Sequence, residues 1–428
     1  MKGDQALVIG GGIAGLLCAN MLKDRFANVT VLERSNYVEP SDGAPAARPE
    51  VPQSHCLHML MGAGAQAFDE LVPGWRDVLI ARGAVAYDAG ADVAMRVASG
   101  WLPRVETGII LYGASRGLIE SALLAVLREA RNVTIQTVQR VIGLEVSRGG
   151  ERLCGVRLQS TNGALQVLNN ADVVVDASGA ASRLPRWLAR IYGEQHRIAL
   201  TEIAPGRQYV SRWVRLAPDQ APDWQGLALA PTHGCAGMMM RAENDLWGVV
   251  LQTPKDVPLP TNVETFLALA AMLPATELYD VLKRAVPVTP PHLFGRTANR
   301  RRHYEQYSFW PDNLFAIGDS VCALDPYAGL GMTAAARGVQ LLQGYLDQPD
   351  QNMTNTANRF QSQLAKHNQL PWMIATNDWT TAASQPGLAD QINSLIRAAP
   401  FDPSLAIMLL ELQHMLRTPE TLTNEAVS

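Results

Sequence analysis

Residues 6–34, ALVIGGGIAGLLCANMLKDRFANVTVLER, constrain the chain more than any other stretch. A short apolar run from Ala6 to Ile9 enters a glycine cluster, Gly10, Gly11, Gly12 and Gly15. An apolar helical pattern follows, then a second strand, Val29 to Leu32, which ends in Glu33. Strand, tight turn, helix, strand and acid is an arrangement that holds a dinucleotide. Gly10 makes the turn. Gly12 lets the backbone approach a pyrophosphate with no Cβ in the way. Gly15 lets the helix pack closely on the strand. Ile13 and Ala14 open the helix, whose free N–H groups and positive dipole end suit phosphates. Glu33 is placed to accept hydrogen bonds from ribose hydroxyls, with Arg34 directly after it.

A chain of 428 residues, 47% hydrophobic and 18% charged, reads as a globular protein of two or three domains or one composite unit with an insert. A net charge of −4 supplies no general basic field, which argues against nucleic acid as a partner. The cysteines (Cys18, Cys56, Cys154, Cys235, Cys322) are odd in number, far apart and without a CxxC, as expected of reduced thiols in a cytoplasmic protein with no metal site. The first apolar segment superficially resembles a signal peptide, but its glycines, Asp4 and the lack of a cleavage region argue otherwise. No other stretch reaches a transmembrane length free of charge and proline, so the expectation is a soluble protein without stable membrane insertion.

Residues 35–57 carry Pro40, Pro45, Pro49 and Pro52 and read as an extended loop. A helix is expected over 58–71, and β-like runs at 93–97 and 109–112. Ser115 can cap the helix SRGLIESALLAVLREA, with Glu120 in its early turns. Strands are expected at 133–147 and 153–168, the second folded into a hairpin at Asn162-Gly163, and a buried strand at 171–179. Residues 190–300 alternate β-like runs (207–216, 226–230, 236–240, 246–251) with proline-rich turns, broken by one helix at roughly 261–285. A further buried strand, 314–319, leads through a loop into a helix at 331–346. The tail, 352–417, reads as helical, and its apolar segment LAIMLLELQHML reads as a packing face.

Two later motifs complement the first. One is Asp176-Ala177-Ser178-Gly179, followed by Ser182, Arg183 and Pro185. The other is Gly318-Asp319, then Pro326 and Gly329-Leu330-Gly331-Met332-Thr333. Asp319, delivered by a strand, can accept a hydrogen bond from a sugar-like hydroxyl. The glycine turn lets backbone lie against a flat ring, and the helix from Gly331 points its N-terminus at that ring, where negative charge is favoured.

In order and spacing the three blocks resemble the FAD-dependent class A monooxygenases, which share the para-hydroxybenzoate hydroxylase fold. Within that superfamily the chain looks most like a bacterial secondary-metabolism group that includes the polyether-antibiotic epoxidases. That likeness rests on VPQSHCLH at 51–58, DASGAASRLPRWL at 176–188, RRHYE at 301–305, GDSVCALDPYAGLGMT at 318–333 and PWMIATNDW at 371–379. The resemblance implies an α/β fold: a Rossmann-like FAD-binding domain (1–190 and 297–346), an inserted, mainly antiparallel substrate domain (191–296, with part of 72–112) and a helical C-terminal segment (347–428). It implies contacts to FAD phosphates from Arg116 and support of the pyrophosphate by Asp176 and Gly179, in a motif that reads DASG where the aromatic hydroxylases carry a plain ADG. Arg183 reads either as a contact to a nicotinamide cofactor or as an ordinary surface arginine. Related sequences carry an HxH pair in the loop after the acidic strand. Here Cys56 takes the first position, leaving His58 as the catalytic candidate and Arg48 as a further cofactor contact. Arg301, Arg302 and Tyr304 read as a solvated basic turn.

The reaction so implied is insertion of one oxygen atom from O2 into a small, apolar, secondary-metabolite substrate, by epoxidation, hydroxylation or Baeyer–Villiger oxidation. FAD is the cofactor and NADPH or NADH a transient electron donor, since only one dinucleotide fold is evident. The substrate is free or tethered to a carrier, and the pattern names no oligomeric state. Two rivals share the fold: a reductase or desaturase of the geranylgeranyl reductase kind, and a flavin-dependent halogenase. The halogenase family uses a WxWxIP motif and a lysine near the flavin tunnel, which Trp101-Leu102-Pro103 and the scarce lysines do not match.

Overall fold

The computed structural model describes residues 3–39, 43–137, 139–160, 162–295, 297–348, 355–376 and 387–419. At its centre lies a five-stranded parallel sheet, in the order Leu314–Ala316, Val173–Asp176, Gly3–Ile9, Phe26–Leu32 and Val133–Gln136. Its inner strands are apolar on both faces because helices cover both. Ala6, Leu7, Val8, Val174 and Val175 are each at most 1% exposed. The helix Ile13–Leu22 fills the first crossover and lies against the helix Gly331–Leu346. Strand Gly3–Ile9 is therefore central, flanked by the two strands whose ends carry Glu33 and Asp176. The C-terminal edge of a parallel sheet at such a switch of strand order is where ligands bind.

The region 190–300 is a mainly antiparallel sheet, as expected. Strands Arg207–Arg215, Leu246–Pro254, Cys235–Arg241 and Gly226–Thr232 lie side by side. The early strand Val93–Val97 joins them in parallel with Gly226–Thr232. The long helix expected at 261–285 is two helices, Val263–Ala270 and Glu277–Leu282. Asn262 and Thr265 form a capping box on the first, and Pro274 between them cannot continue a helix. Both helices cover the outer face of the sheet through Phe266, Leu269, Leu278 and Leu282.

The helix Gly62–Leu71 starts four residues later than the pattern suggests, after a stretch without regular secondary structure at 58–61. Arg301, Arg302 and Tyr304 do not form a solvated turn. Strand Asn299–Arg302 pairs with Leu200–Ile203 and Cys322–Ala323, Arg302 is buried and Tyr304 fully so. The tail is helical where it is described, and residues 352–354 and 377–386 lie outside the described residues, 377–379 of PWMIATNDW among them. Its last helix, Pro403–Gln413, buries Ala406 and Leu410 and brings His414 against Gly62. Among the described residues no helix is long and apolar enough to cross a membrane.

Candidate functional site

The first motif is built as its glycines require. Gly10 has φ 98°, a left-handed conformation, and its N–H donates to Leu32 O at 2.8 Å. A Cβ at Gly15 would overlap the Gly10 carbonyl oxygen, so helix and turn can approach this closely only with glycine there. Gly12 is different. Its φ of −79° suits any residue, and a Cβ added to it would meet only Arg116 Nη2, 3.8 Å away. Space over this helix N-terminus, faced by a guanidinium, is the cradle a pyrophosphate needs.

The other two motifs close on the first. Ala177 N–H donates to Ile9 O at 2.9 Å. A Cβ at Gly10 would run into Ala177 O and Ser178 Cα, so the second motif passes directly against the first turn. Ile317 N–H (3.0 Å) and Ser320 Oγ (2.7 Å) both donate to Asp176 O, which ties the third motif to the second. Gly318, with φ 64°, would set a Cβ 3.1 Å from Ala14 Cβ, so it crosses the start of the first helix closely. Arg302 donates to Ser320 O at 2.8 Å and Ala180 O at 2.7 Å, which staples the second motif to the third. Sequence reasoning missed this role, although three arginines in a row just before a cofactor motif were its signal.

Arg116 sits at the meeting point. Ser115 caps its helix by accepting from Leu118 N–H at 3.2 Å, which places Arg116 in the first turn. Its Nε donates to Glu120 Oε1 at 3.1 Å, and its charge is felt at Cys56, His58 and Asp319. Burial pushes the Asp319 carboxyl above its ordinary range, against the opposing pull of Arg116, a hydrogen bond from the Gln53 side chain and Arg302. Gln53 was not singled out in the sequence. His58 is pushed down to about 3 by burial and by Arg116, so it is neutral at any working pH. Its Nδ1–H donates to Cys56 O at 2.9 Å, which leaves Nε2 as an acceptor. Met59 follows it and approaches Gly329, which has φ 66° and ends the turn Pro326–Ala328. Gly331 begins the helix Gly331–Leu346, with Met332 buried behind it and open space at its own Cα.

Glu33 and Arg48 form the other end of the cradle. Glu33 Oε2 accepts from Gly11 N–H at 2.7 Å, and Oε1 accepts from Ser35 N–H at 3.0 Å. Arg48 Nη2 lies 2.8 Å from Glu33 Oε1, and its Nη1 reaches Glu120 Oε2 at 3.2 Å. The Arg48 guanidinium stacks over Tyr37 at 4.7 Å, and Tyr37 OH donates to Gly11 O at 2.8 Å. A pocket lined by Tyr37, Arg48, Ser54, Gly117 and Glu120 opens here. The spacing of Arg116 and Glu120, four apart in the helix, was the only sequence signal of this network.

Two further candidates, Asp176 and Arg34, are bonded within the protein. Asp176 is wholly buried, with its carboxylate accepting from Ser178 N–H at 3.1 Å and from Ser182 Oγ at 2.6 Å. It shapes the turn at Gly179 (φ 80°) from within. Arg34 is exposed and donates to Glu50 O at 2.8 Å. Arg183 is exposed too, and burial and the charges of Arg140, Arg186, Arg190 and Arg34 all lower its pKa. These five guanidiniums form a positive patch beside the sheet edge that carries the first two motifs.

No protein-family model matches the chain. It is 32% identical to protein Rv3254 of Mycobacterium tuberculosis (strain ATCC 25618 / H37Rv) over 342 residues, which cover 77% of this chain and 70% of that protein. Among solved structures it resembles p-nitrophenol 4-monooxygenase PnpA of Pseudomonas putida DLL-E4, with a TM-score of 0.65, 17% identity, and coverage of 97% of this chain and 99% of that one. It also resembles the flavin-dependent brominase Bmp2, with a TM-score of 0.65, 16% identity, and coverage of 99% and 98%.

Proposed function

Because the chain belongs to the family of Rv3254 and has the fold of the class A flavin monooxygenases, we propose that it is an FAD-dependent monooxygenase that takes electrons from NADPH or NADH and inserts one oxygen atom into a small apolar molecule. The observation that carries this reading is the convergence of Gly12, the 56–58 loop and Asp319 on one side chain, Arg116. Loops far apart in the chain have no packing reason to share a half-buried guanidinium next to an open helix N-terminus. An elongated molecule with phosphates at its middle and a flat ring at one end gives them one.

Bound there, FAD would supply the oxygen activation. The chain's share is placement and dryness. Arg116 and the N–H groups from Gly12 onward hold the pyrophosphate. Asp319 accepts from a hydroxyl of the ribityl chain, oriented by Gln53. Glu33 and Arg48 fix the backbone at Gly11, which would flank the adenosine end. The N-terminus of helix Gly331–Leu346 would favour negative charge on a ring bound beside it. His58, neutral and with Nε2 bare, orients a donor group rather than passing a proton. The arginine patch around Arg183 supports brief docking of a phosphorylated nicotinamide donor.

The brominase shares this fold, and halogenation by that family depends on a lysine near the flavin. Among the described residues Lys23 pairs with Asp24, Lys283 with Asp280, and Lys255 and Lys366 are exposed. That favours oxygen insertion. The test is to load the purified chain with FAD, reduce it anaerobically with NADPH and with NADH, admit labelled O2 with a metabolite panel, and weigh the products. One labelled oxygen atom in a product supports the reading. Protein that stays colourless after desalting, or flavin that neither donor reduces with or without substrate, refutes it.

A further inference from the structure

The insert sheet turns one face toward the third motif, and that face has a composition of its own. Three contacts identify it. Tyr209 OH donates to Asp325, Ser211 Oγ accepts from Leu57 N–H at 3.1 Å, and Trp213 Nε1 donates to His55 O at 3.1 Å. Residues paired directly across strands share a face. Ser211 pairs with Val250, Val250 with Met238, Met238 with Ala228 and Ala228 with Met95, which makes one row across five strands. Met95, Ala228, Met238 and Val250 are half-buried although they lie on the covered side of the sheet, as the floor of a cleft would be. Met59, which packs on this face and on the cluster beneath the third motif, bridges the two. The row carries no charge. Arg212 points to the opposite face, where it lies over Phe266, and Arg207 is matched by Asp325. At the row's end His292 pairs with Ser211 and stacks on His55, and burial holds both imidazoles below their ordinary pKa.

One group on this face is unsatisfied. Gln252 pairs with Tyr209 and Ala236, one alternation beyond Val250, and is 5% exposed. Its Nε2 donates to Gly234 O at 3.1 Å, which fixes the orientation of the amide. Its Oε1 has no donor. A desolvated acceptor without a partner is costly, and a donor on a bound molecule would satisfy it.

We propose that this cleft takes a neutral, largely apolar molecule bearing one hydrogen-bond donor, and that Gln252 Oε1 accepts that donor. This deepens the monooxygenase reading and rests on it, because the same cleft would hold the molecule to be oxygenated. The Met95, Met238 and Met59 thioethers adapt to irregular carbon skeletons. An ionised carboxylate would find no cation on this floor.

The test uses FAD-loaded protein, its yellow colour confirmed first, and three probes in equilibrium dialysis: 2-naphthol, its methyl ether and 2-naphthoate. The wild type binds 2-naphthol at least about tenfold more tightly than the methyl ether, which lacks the donor, and more tightly than the anion. Gln252→Leu abolishes the preference for 2-naphthol over the ether, and Gln252→Glu, which keeps an acceptor, retains part of it. Equal or better binding of 2-naphthoate, no binding of 2-naphthol, or an unchanged preference in Gln252→Leu overturns the proposal. A colourless protein after FAD treatment instead overturns the flavin reading, so the two failures are told apart.

Discussion

Gly12→Ala and Gly15→Ala separate a cofactor role from a folding role within one turn of one helix. At Gly12 the backbone is extended (φ −79°, ψ −171°), which alanine adopts freely. The new Cβ would meet only Arg116 Nη2, 3.8 Å away, so nothing in the protein has to move. Alanine caps a helix slightly worse than glycine, and it restricts the unfolded chain by a similar amount, so stability changes by roughly 0.5 kcal/mol or less. The methyl group nevertheless stands where a phosphate must come to reach the helix N–H groups. Loss of one charge-assisted hydrogen bond costs about 1.5–3 kcal/mol, which weakens FAD between about tenfold and a hundredfold. At Gly15 the Cβ would overlap the Gly10 carbonyl oxygen and stand 2.9 Å from its carbon, and both are rigid backbone. Relieving that costs about 1–3 kcal/mol or more of stability. FAD titration followed at the flavin absorbance band, with urea unfolding of the cofactor-free protein beside it, checks both. Gly12→Ala that binds FAD as well as the wild type, or that loses as much stability as Gly15→Ala, would refute the assignment of this cradle.

Three further outcomes are expected. Arg48→Met leaves Glu33 buried without its cation and Glu120 with Arg116 alone, which costs about 3–5 kcal/mol in urea unfolding, and adding Glu33→Gln recovers part of it. Burial lowers His414 to about 4, so the unfolded chain takes up the proton first as pH falls. Its contribution is complete above about pH 6.5 and shrinks by about 3 kcal/mol towards pH 4, and His414→Gln flattens the stability–pH curve across that window. Arg183→Glu inverts one charge in the arginine patch and raises the KM for NADPH by about tenfold with FAD content unchanged, and an unaltered KM in steady-state assays would remove the patch from donor docking.

The parts of the fold written in local pattern were legible. Continuous apolar runs at Ala6–Ile9 and Val173–Val175 gave buried parallel strands, and Ser115 capped the helix it was expected to cap. Pro274 should have divided the helix at 261–285, because the apolar spacing on either side hid a break that proline makes unavoidable. Gly10 and Gly15 were legible because each answers a backbone demand that other residues meet only with strain, a positive φ at the one and a close approach to the Gly10 carbonyl at the other. The internal bonds of Glu33, Asp176 and Arg302 were not legible, for the opposite reason. A charged side chain next to a motif looks like a ligand contact. Whether it faces a ligand or is spent on Gly11 N–H, on Ser182 or on Ala180 O depends on partners from 6 to 122 positions away.

Those inward-facing polar residues explain why the site can be ready before anything binds. Asp176 sets the turn at Gly179, Arg302 joins that turn to Ser320, and Glu33 with Arg48 holds Gly11. Each contact is internal to the protein, so the backbone donors and dipoles around the cradle need little reorganisation when a cofactor arrives. Arg116 is the exception. Its only carboxylate partner among the described residues is Glu120, which Arg48 also holds, so much of its charge stays available. A site assembled this way should lose affinity when Arg116 is changed and lose structure when Arg48 or Arg302 is changed, although all three arginines serve the same few loops.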